Sequence, residues 1–394
     1  MDRTKRQVVA RLELGKSRGR DMKNPRLPAL IAFVVLCAGC GGNNGSMTPG
    51  NPKPARAPMV FTMTNATTGN SVQVYSRSSD GTLVNFQSLS TGGTGVGHGL
   101  ENQGAVALSR DGQFLYVVNP GSNDLTAFQV MDTGVQLTDR IPSGGILPVS
   151  VAEWNGIVYV LNRNGSSGAG SGPTIQGFQV STSGILSPIA GSVMALRATD
   201  TNAAQIAISP DGLWILVTER GINEIDVVPL DQNHAPGTPR SAASAGSGPF
   251  GFAFSDAARL YVSEIGMGTT SAYDVDPQGI LHVLSAAVST QQRATCWLVI
   301  TPDNNLVYVS NTSNNSLSSY RIAMDGSLTG LVSVAATTAG RPLDLVVSAD
   351  GNFLSVLATD GSIETFHIDA TSGSLTSIQT VTGLPAGTNG LTGP

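Results

Sequence analysis

The chain has 394 residues, 40% hydrophobic and 12% charged, with 47 glycines and 21 prolines; this balance suits a turn-rich, all-β globular protein with a large core and argues against a helix-rich enzyme. The formal net charge of −5 hides an asymmetry, because residues 1–26 hold nine Lys/Arg against three Asp/Glu, which leaves −11 on the remainder. No lysine occurs beyond Lys53, so the body lacks the basic footprint that phosphate-backbone binding needs, and nucleic acid is excluded as a partner.

The first element in chain order is an export signal. Lys23 and Arg26 precede the apolar run "LPALIAFVVLCAG", Leu27 to Gly39, which is short for a membrane span and suited to a signal-peptide core. Cys40 follows directly, and "LCAGC" resembles a bacterial lipoprotein processing site, with Cys37 standing where leucine is usual. The resemblance implies that Cys40 is lipidated and becomes the mature N-terminus. Met22 serves equally well as the start, since the segment from it to Cys40 is already a complete signal. Residues 1–40 are therefore read as signal, and residues 41–58, "GGNNGSMTPGNPKPARAP", as a flexible Gly/Pro tether. The body is expected outside the cytoplasm, either lipid-anchored to the cell envelope or secreted or periplasmic, touching membrane only through that anchor.

From residue 59 to 394 the chain repeats itself. The strings "VFTMTN", "FLYVVN", "IVYVLN", "WILVTE", "RLYVSE", "LVYVSN" and "FLSVLA" have equivalent centres at Thr62, Tyr116, Tyr159, Leu216, Tyr261, Tyr308 and Ser355, with spacings of 54, 43, 57, 45, 47 and 47. Most copies are preceded by an apolar run and an Asp-Gly-type hairpin ("ALSRDG", "AISPDG", "VVSADG") and followed by another alternating strand. Seven repeats of four antiparallel strands predict a seven-bladed β-propeller. The first copy lacks an innermost strand, and "GTNGLTG", Gly387 to Gly393, is left over at the other end. That segment is expected to pair beside Met59–Thr64 and close the ring, removing an exposed sheet edge. A monomer is expected.

The phrases "SRDGQFLYVVNPGSNDLTAFQV", "LVTERGINEIDVV", "GPFGFAF" and "CWLVITPDNNLVYVSNTSNNSLSSYRI" resemble the lactonase family of seven-bladed propellers, which includes 6-phosphogluconolactonase and the 3-carboxymuconate cyclases, and within it a secreted bacterial branch. The resemblance implies the fold, and a lactone-handling enzyme that hydrolyses or cyclises a small lactone or sugar acid at the channel mouth. It also implies a Gly-Pro-Arg-His phrase opening an inner strand and a glutamate ending the next. Here these fall on Gly248-Pro249-Phe250-Gly251 and Glu264, so the Arg and His are replaced by Phe250 and Gly251. The alternative class is a non-catalytic extracytoplasmic propeller that binds a carbohydrate, a cell-wall component or a protein partner.

In a propeller the loop entering an inner strand and the loop leaving the second strand lie on one face, around the channel mouth. Glu219 and Glu264 end second strands on consecutive blades and are the candidate catalytic carboxylates, expected to share one electronegative spot. Asn65, Asn119, Asn162, Asn311 and Ala358 are the equivalents elsewhere; asparagine also suits such turns for purely local reasons. Gln205, Trp297 and Asp344 stand at inner-strand entries, with Arg293 and Arg341 just upstream, while Arg163 and Arg220 follow second strands. This mixed rim, with His98 in a glycine-rich entry loop, is expected to hold a small carboxylated or sugar-like ligand, Arg forking onto carboxylate. The bland alternative is that Arg220 and Arg293 only neutralise nearby acids. No cofactor is implied: Cys296 is the only cysteine outside the signal and is read as core, and His98, His234, His282 and His367 lack metal-type spacing.

Overall fold

The computed structural model describes residues 58–164, 172–196 and 202–394, all within the unit Pro54–Pro394. The signal segment, Cys40, the tether up to residue 57 and most of the run "NGSSGAGSG" lie outside the described residues.

Seven antiparallel sheets follow one another along the chain, each ordered from an inner strand at the channel to an outer strand at the rim. The inner strands are Asn389–Thr392, Val106–Leu108, Ile146–Trp154, Ala203–Ile208, Pro249–Phe254, Thr295–Ile300 and Pro342–Val347. Six sheets have four strands; in the third blade, Leu186–Pro188 and Met194–Ala195 both pair with Thr174–Val180 at the outer position. Among the described residues there is no helix.

Ring closure occurs where the sequence places it. Asn389–Thr392 pairs antiparallel with Met59–Met63, Phe61 opposite Thr392 and Thr62 opposite Leu391, with a bulge between Thr62 and Met63. The Arg77 guanidinium donates to the Pro394 carbonyl at 2.9 Å, and Leu391 is buried among Val60, Tyr75, Val346 and Leu357. First and last strands are thereby zipped into one sheet, which leaves no open inner edge.

Local chemistry explains the repeating unit. At the Ser-x-Asp-Gly hairpins the serine hydroxyl donates to the aspartate, and the glycine N–H closes the turn on the serine carbonyl at 2.8 Å at Gly112, Gly212 and Gly351. These glycines have φ of 67–75°, a region side-chain-bearing residues seldom enter. Asn304 takes the same role in the sixth blade at φ 57°, as asparagine can. The strands between turns alternate apolar residues into the blade interfaces. Tyr116, Tyr159, Tyr261 and Tyr308 on second strands are almost fully buried there. Two of their hydroxyls reach the next blade, Tyr159 donating to the His234 carbonyl at 2.6 Å and Tyr261 to the Gly326 carbonyl at 3.1 Å. The core is thus a set of seven interfaces around a channel, and the channel mouth is where irregular polar chain accumulates.

Candidate functional site: an arginine rim over a plugged channel

The second-strand ends do not open onto the mouth. Glu264 has no exposed surface. Its Oε1 accepts from Gly246 N–H (2.7 Å), Ser244 Oγ (3.0 Å) and Ser271 Oγ (2.6 Å), and its Oε2 accepts from Thr269 Oγ1 (2.6 Å). These four donors come from the strand that follows Glu264 and from the segment linking the fourth blade to the fifth. The carboxylate therefore fastens neighbouring blades together and faces no solvent. A Cβ on Gly246 would lie 1.9 Å from Glu264 Oε2, so the glycine is what admits it.

The asparagines at equivalent positions are enclosed in the same way. Asn119 donates to Asp124 (2.6 Å) and Thr126 (2.9 Å) and accepts from Asn70 (2.9 Å) and Thr91 (2.7 Å). Asn311 accepts from Thr295 (2.9 Å) and donates to Ser316 (3.3 Å) and Ser318 (2.7 Å), while Asn162 donates to the Ser143 carbonyl (3.1 Å). All three are fully buried. Asn119 and Asn162 therefore tie their blades to the chain arriving from the preceding one, while Asn311 braces strands of its own blade; as ligand groups at the mouth all three are displaced by this geometry.

Glu219 is also fully buried, and its acidic neighbours are Glu224 and Asp226 of its own blade, oxygens of the three lying within 4.8 Å of one another. Its acidic neighbours do not include Glu264, and in place of the expected shared electronegative spot stand an acidic cluster within the fourth blade and a single carboxylate at the junction of the fourth and fifth. With one oxygen from each carboxylate, at least three of the six to eight positions around a calcium ion are left to other oxygens.

The channel mouth itself is closed by the chain. The connection from the first blade to the second, between Ser90 and Val106, turns inward, and Asn102 and Gln103 cross the opening. Gln103 Nε2 donates to the Leu298 carbonyl (2.7 Å) and its Oε1 accepts the Leu298 N–H (3.1 Å), a two-point clamp on the sixth blade. Its backbone N–H donates to the Ala204 carbonyl (3.1 Å), and its carbonyl accepts from Ser150 Oγ (2.7 Å). The Asn102 side chain donates to the Val149 carbonyl, and the Asn102 carbonyl accepts the Trp297 indole N–H (2.7 Å). Trp297 is consequently a strut under the plug, almost fully buried, instead of a rim platform.

Gln205 and Asp344 sit in the same layer, below the mouth. Gln205 clamps Phe252 through N–H and carbonyl, at 2.7 and 2.9 Å. The Asp344 carboxylate accepts from Leu345 N–H (3.0 Å) and from Leu391 N–H (3.3 Å) on the closing strand. Burial pushes its pKa up to about 7 against these amide bonds. Beneath this layer lies a channel cavity of about 330 Å³ walled by Val106, Leu108, Ala253, Phe254, Ile300 and Val347.

What remains above the plug is a cluster that sequence reasoning found only in part. The Arg220 guanidinium pairs with the Glu101 carboxylate and lies over the Phe250 ring, 5.5 Å from its centre. Phe250 makes an edge contact with Trp297 at 4.9 Å. Arg163 donates to the Ala203 carbonyl (3.2 Å) and the Glu101 carbonyl (3.0 Å); burial and the adjacent Arg220 charge lower its pKa to about 10. The Arg220 bond, together with the charges of Arg163 and Arg341, holds the Glu101 carboxyl below the ordinary glutamate range. Arg341 is exposed. Arg220, Arg163 and Arg341 thus come together around Glu101, which the sequence reading passed over. Arg293 and His98 are exposed on their own loops, the Arg293 N–H donating to Asn314 and His98 Nδ1 lying 3.1 Å from the Gly99 carbonyl. Cys296 is buried beside the plug, and burial pushes its thiol up to about 11, far from a nucleophile's range.

Residues 66–169 and 280–389, more than half of the chain, match the family described as Lactonase, 7-bladed beta-propeller. The chain belongs to this family. The unmatched stretch between those segments holds Gly248–Gly251, where the Arg-His pair is replaced, and the structure shows what fills the space. A Cβ on Gly251 would lie 2.1 Å from Gln103 Oε1, so the plug occupies the room a larger side chain would need. Phe250 in turn backs Arg220.

Solved structures share the fold. A putative 6-phosphogluconolactonase from Bacteroides fragilis is 19% identical over 87% of this chain and 100% of that one, with a TM-score of 0.67. A second, from Bacteroides uniformis, is 19% identical over 86% and 100%, with a TM-score of 0.69. The periplasmic gluconolactonase of Pseudomonas aeruginosa is 18% identical over 84% and 98%, with a TM-score of 0.68. No curated protein matches the chain.

Proposed function

We propose that this lactonase-family propeller is exported to the cell envelope and takes a small carboxylate-bearing ligand of the sugar-acid or lactone type on the rim above the plug. The observation that carries the reading is the convergence of Arg220, Arg163 and Arg341 on one exposed carboxylate, backed by Phe250. Arginine is suited to this task because its planar fork meets a carboxylate with two parallel hydrogen bonds, and an aromatic ring beneath it fixes the fork's plane. The ligand class also agrees with the gluconolactonase and 6-phosphogluconolactonase named among the structural relatives, one of them periplasmic.

Binding is the primary activity in this reading, because the family carboxylate Glu264 is enclosed and fully engaged by four donors. Lactone hydrolysis is the second reading, favoured by Glu101, whose side chain is 67% exposed and stands beside Arg220. There it can accept a proton from an attacking water while arginine stabilises the developing oxyanion. Calorimetric titration of the full-length protein with D-gluconate, and a pH-stat assay with glucono-δ-lactone, test both. Gluconate binding that is lost in Arg220→Gln and Arg341→Gln supports the rim. Binding indifferent to both substitutions overturns it. Lactone turnover abolished by Glu101→Gln supports hydrolysis, and turnover no faster than the buffer rate rejects it. Cys40→Ser tests the location: the protein should leave the membrane fraction, and unchanged fractionation rejects the anchor.

A further inference from the structure

The contact between Glu101 and Arg220 is more than a surface ion pair, because the backbone beneath it is immobilised on every side. Glu101 has a φ of 51°, in the left-handed region that side-chain-bearing residues seldom occupy. Its carbonyl is held by Arg163, and the two residues after it are bonded to Val149, Trp297, Ala204, Ser150 and Leu298. Only the Glu101 side chain reaches solvent, and it is aimed at a guanidinium that is 18% exposed and held against an aromatic ring. Of the three arginines, Arg163 is half-buried and already bonded to two backbone carbonyls. Arg220 and Arg341 are the charges left for an anion, and Glu101 stands on the first of them.

We propose that Glu101 is a built-in competing anion, a carboxylate of the chain that occupies the ligand-carboxylate position on Arg220 and must be displaced for a ligand to bind. This rests on the reading of the rim as the ligand site and adds what sets its selectivity. A ligand with one weak polar group gains nothing by replacing a carboxylate already in place. A sugar-acid carboxylate whose hydroxyls or second anionic group also reach Arg341 gains a contact that Glu101 does not make. Glu101 thereby sets a threshold on the rim: it weakens every ligand that needs Arg220, and only a ligand with further contacts displaces it. The ligand does not have to create the pocket, because rim and plug are already assembled.

The test is calorimetric titration of the full-length protein at low salt with two probes, D-gluconate and the neutral sugar D-glucose. Glu101→Gln keeps the side-chain shape and removes the charge; Glu101→Gly also removes the backbone strain, since glycine enters the left-handed region freely. Both substitutions should tighten gluconate by about fivefold, the scale of one partly screened ion pair, and leave glucose, which has no carboxylate to place on Arg220, within about twofold. Weaker gluconate binding in Glu101→Gln would mean that Glu101 is a ligand contact, and would overturn the proposal. So would tightening in the glycine variant alone, which would trace the effect to backbone relaxation. If Arg220→Gln and Arg341→Gln weaken gluconate while Glu101→Gln changes nothing, the competing-anion role falls and the rim survives. If no variant alters gluconate binding, or no form of the protein binds it, the rim reading fails and the proposal fails with it.

Discussion

Substitution of Glu264 separates a structural carboxylate from a chemical one. Glu264→Gln changes little in shape: the amide oxygen can keep the Oε1 position and its bonds from Gly246, Ser244 and Ser271, and only the bond from Thr269 to Oε2 must reverse. A hydroxyl can reverse by rotation. Asparagine fills the equivalent place at Asn119 and Asn311, so an amide is compatible with this niche. Loss of one charge-assisted bond, partly replaced by a neutral one, costs about 1 kcal/mol. Glu264→Ala is different, because the buried Gly246 N–H cannot turn away and loses its acceptor. An unsatisfied buried amide costs about 1–3 kcal/mol, and the cavity left by the side chain brings the total to about 4 kcal/mol. At an unfolding entropy of about 2 cal/mol/K per residue over the propeller, each kcal/mol lowers Tm by about 1.4 °C. The expected falls are about 1–2 °C for Gln and about 6 °C for Ala, measured by scanning calorimetry, with gluconate affinity unchanged in the Gln variant. A Glu264→Gln protein that melts like the wild type but has lost ligand binding or lactone turnover would refute the blade-fastening account, as would an alanine variant of undiminished stability.

Three further outcomes follow from other contacts. Because burial raises the Asp344 pKa to about 7, the folded state holds a proton that the unfolded chain has lost above about pH 4. This group's contribution is fully present below that point, declines by up to about 1.4 kcal/mol per pH unit as pH rises toward 7, and is flat above. Tm measured from pH 5 to pH 9 should show this decline in the wild type and lose it in Asp344→Asn. Gly251→Ala drives a Cβ to 2.1 Å from Gln103 Oε1 and should cost about 1–3 kcal/mol in urea unfolding. Adding Gln103→Ala should recover part of that loss; strictly additive effects would mean the two residues do not share the space. Removal of Asn389–Pro394 exposes Val60 and Phe61 and strips Asp344 and Arg77 of partners, so it should destabilise by about 5 kcal/mol or more, read from the urea midpoint; a truncated protein unfolding like the full-length one would refute closure at this sheet.

The sequence alone determined the ring. Strand alternation, Asp-Gly turns and a repeat spacing near 45 residues are local or periodic features, and seven such units can bury their faces only by stacking on one another. The leftover "GTNGLTG" and the missing first inner strand even marked the closing seam. Register also placed Glu219, Glu264, Asn119 and Asn311 at second-strand ends, whereas Asn162 falls two residues inside its strand and Asn65 two residues beyond. Which way those side chains point is another matter, since it depends on hydroxyls supplied by a neighbouring strand and on glycines, such as Gly246, that let the next blade approach. The plug was equally hidden. Its one trace in the sequence is the 54-residue first spacing, a surplus that the fold directs into the channel as Asn102 and Gln103. Bonds joining residues nearly 200 positions apart, such as Gln103 to Leu298, arise from closure of the ring and have no counterpart in local pattern. Arg220 was legible as a rim charge, but its partner is Glu101 on another blade's entry loop, because only the closed ring brings two distant loops to the same mouth.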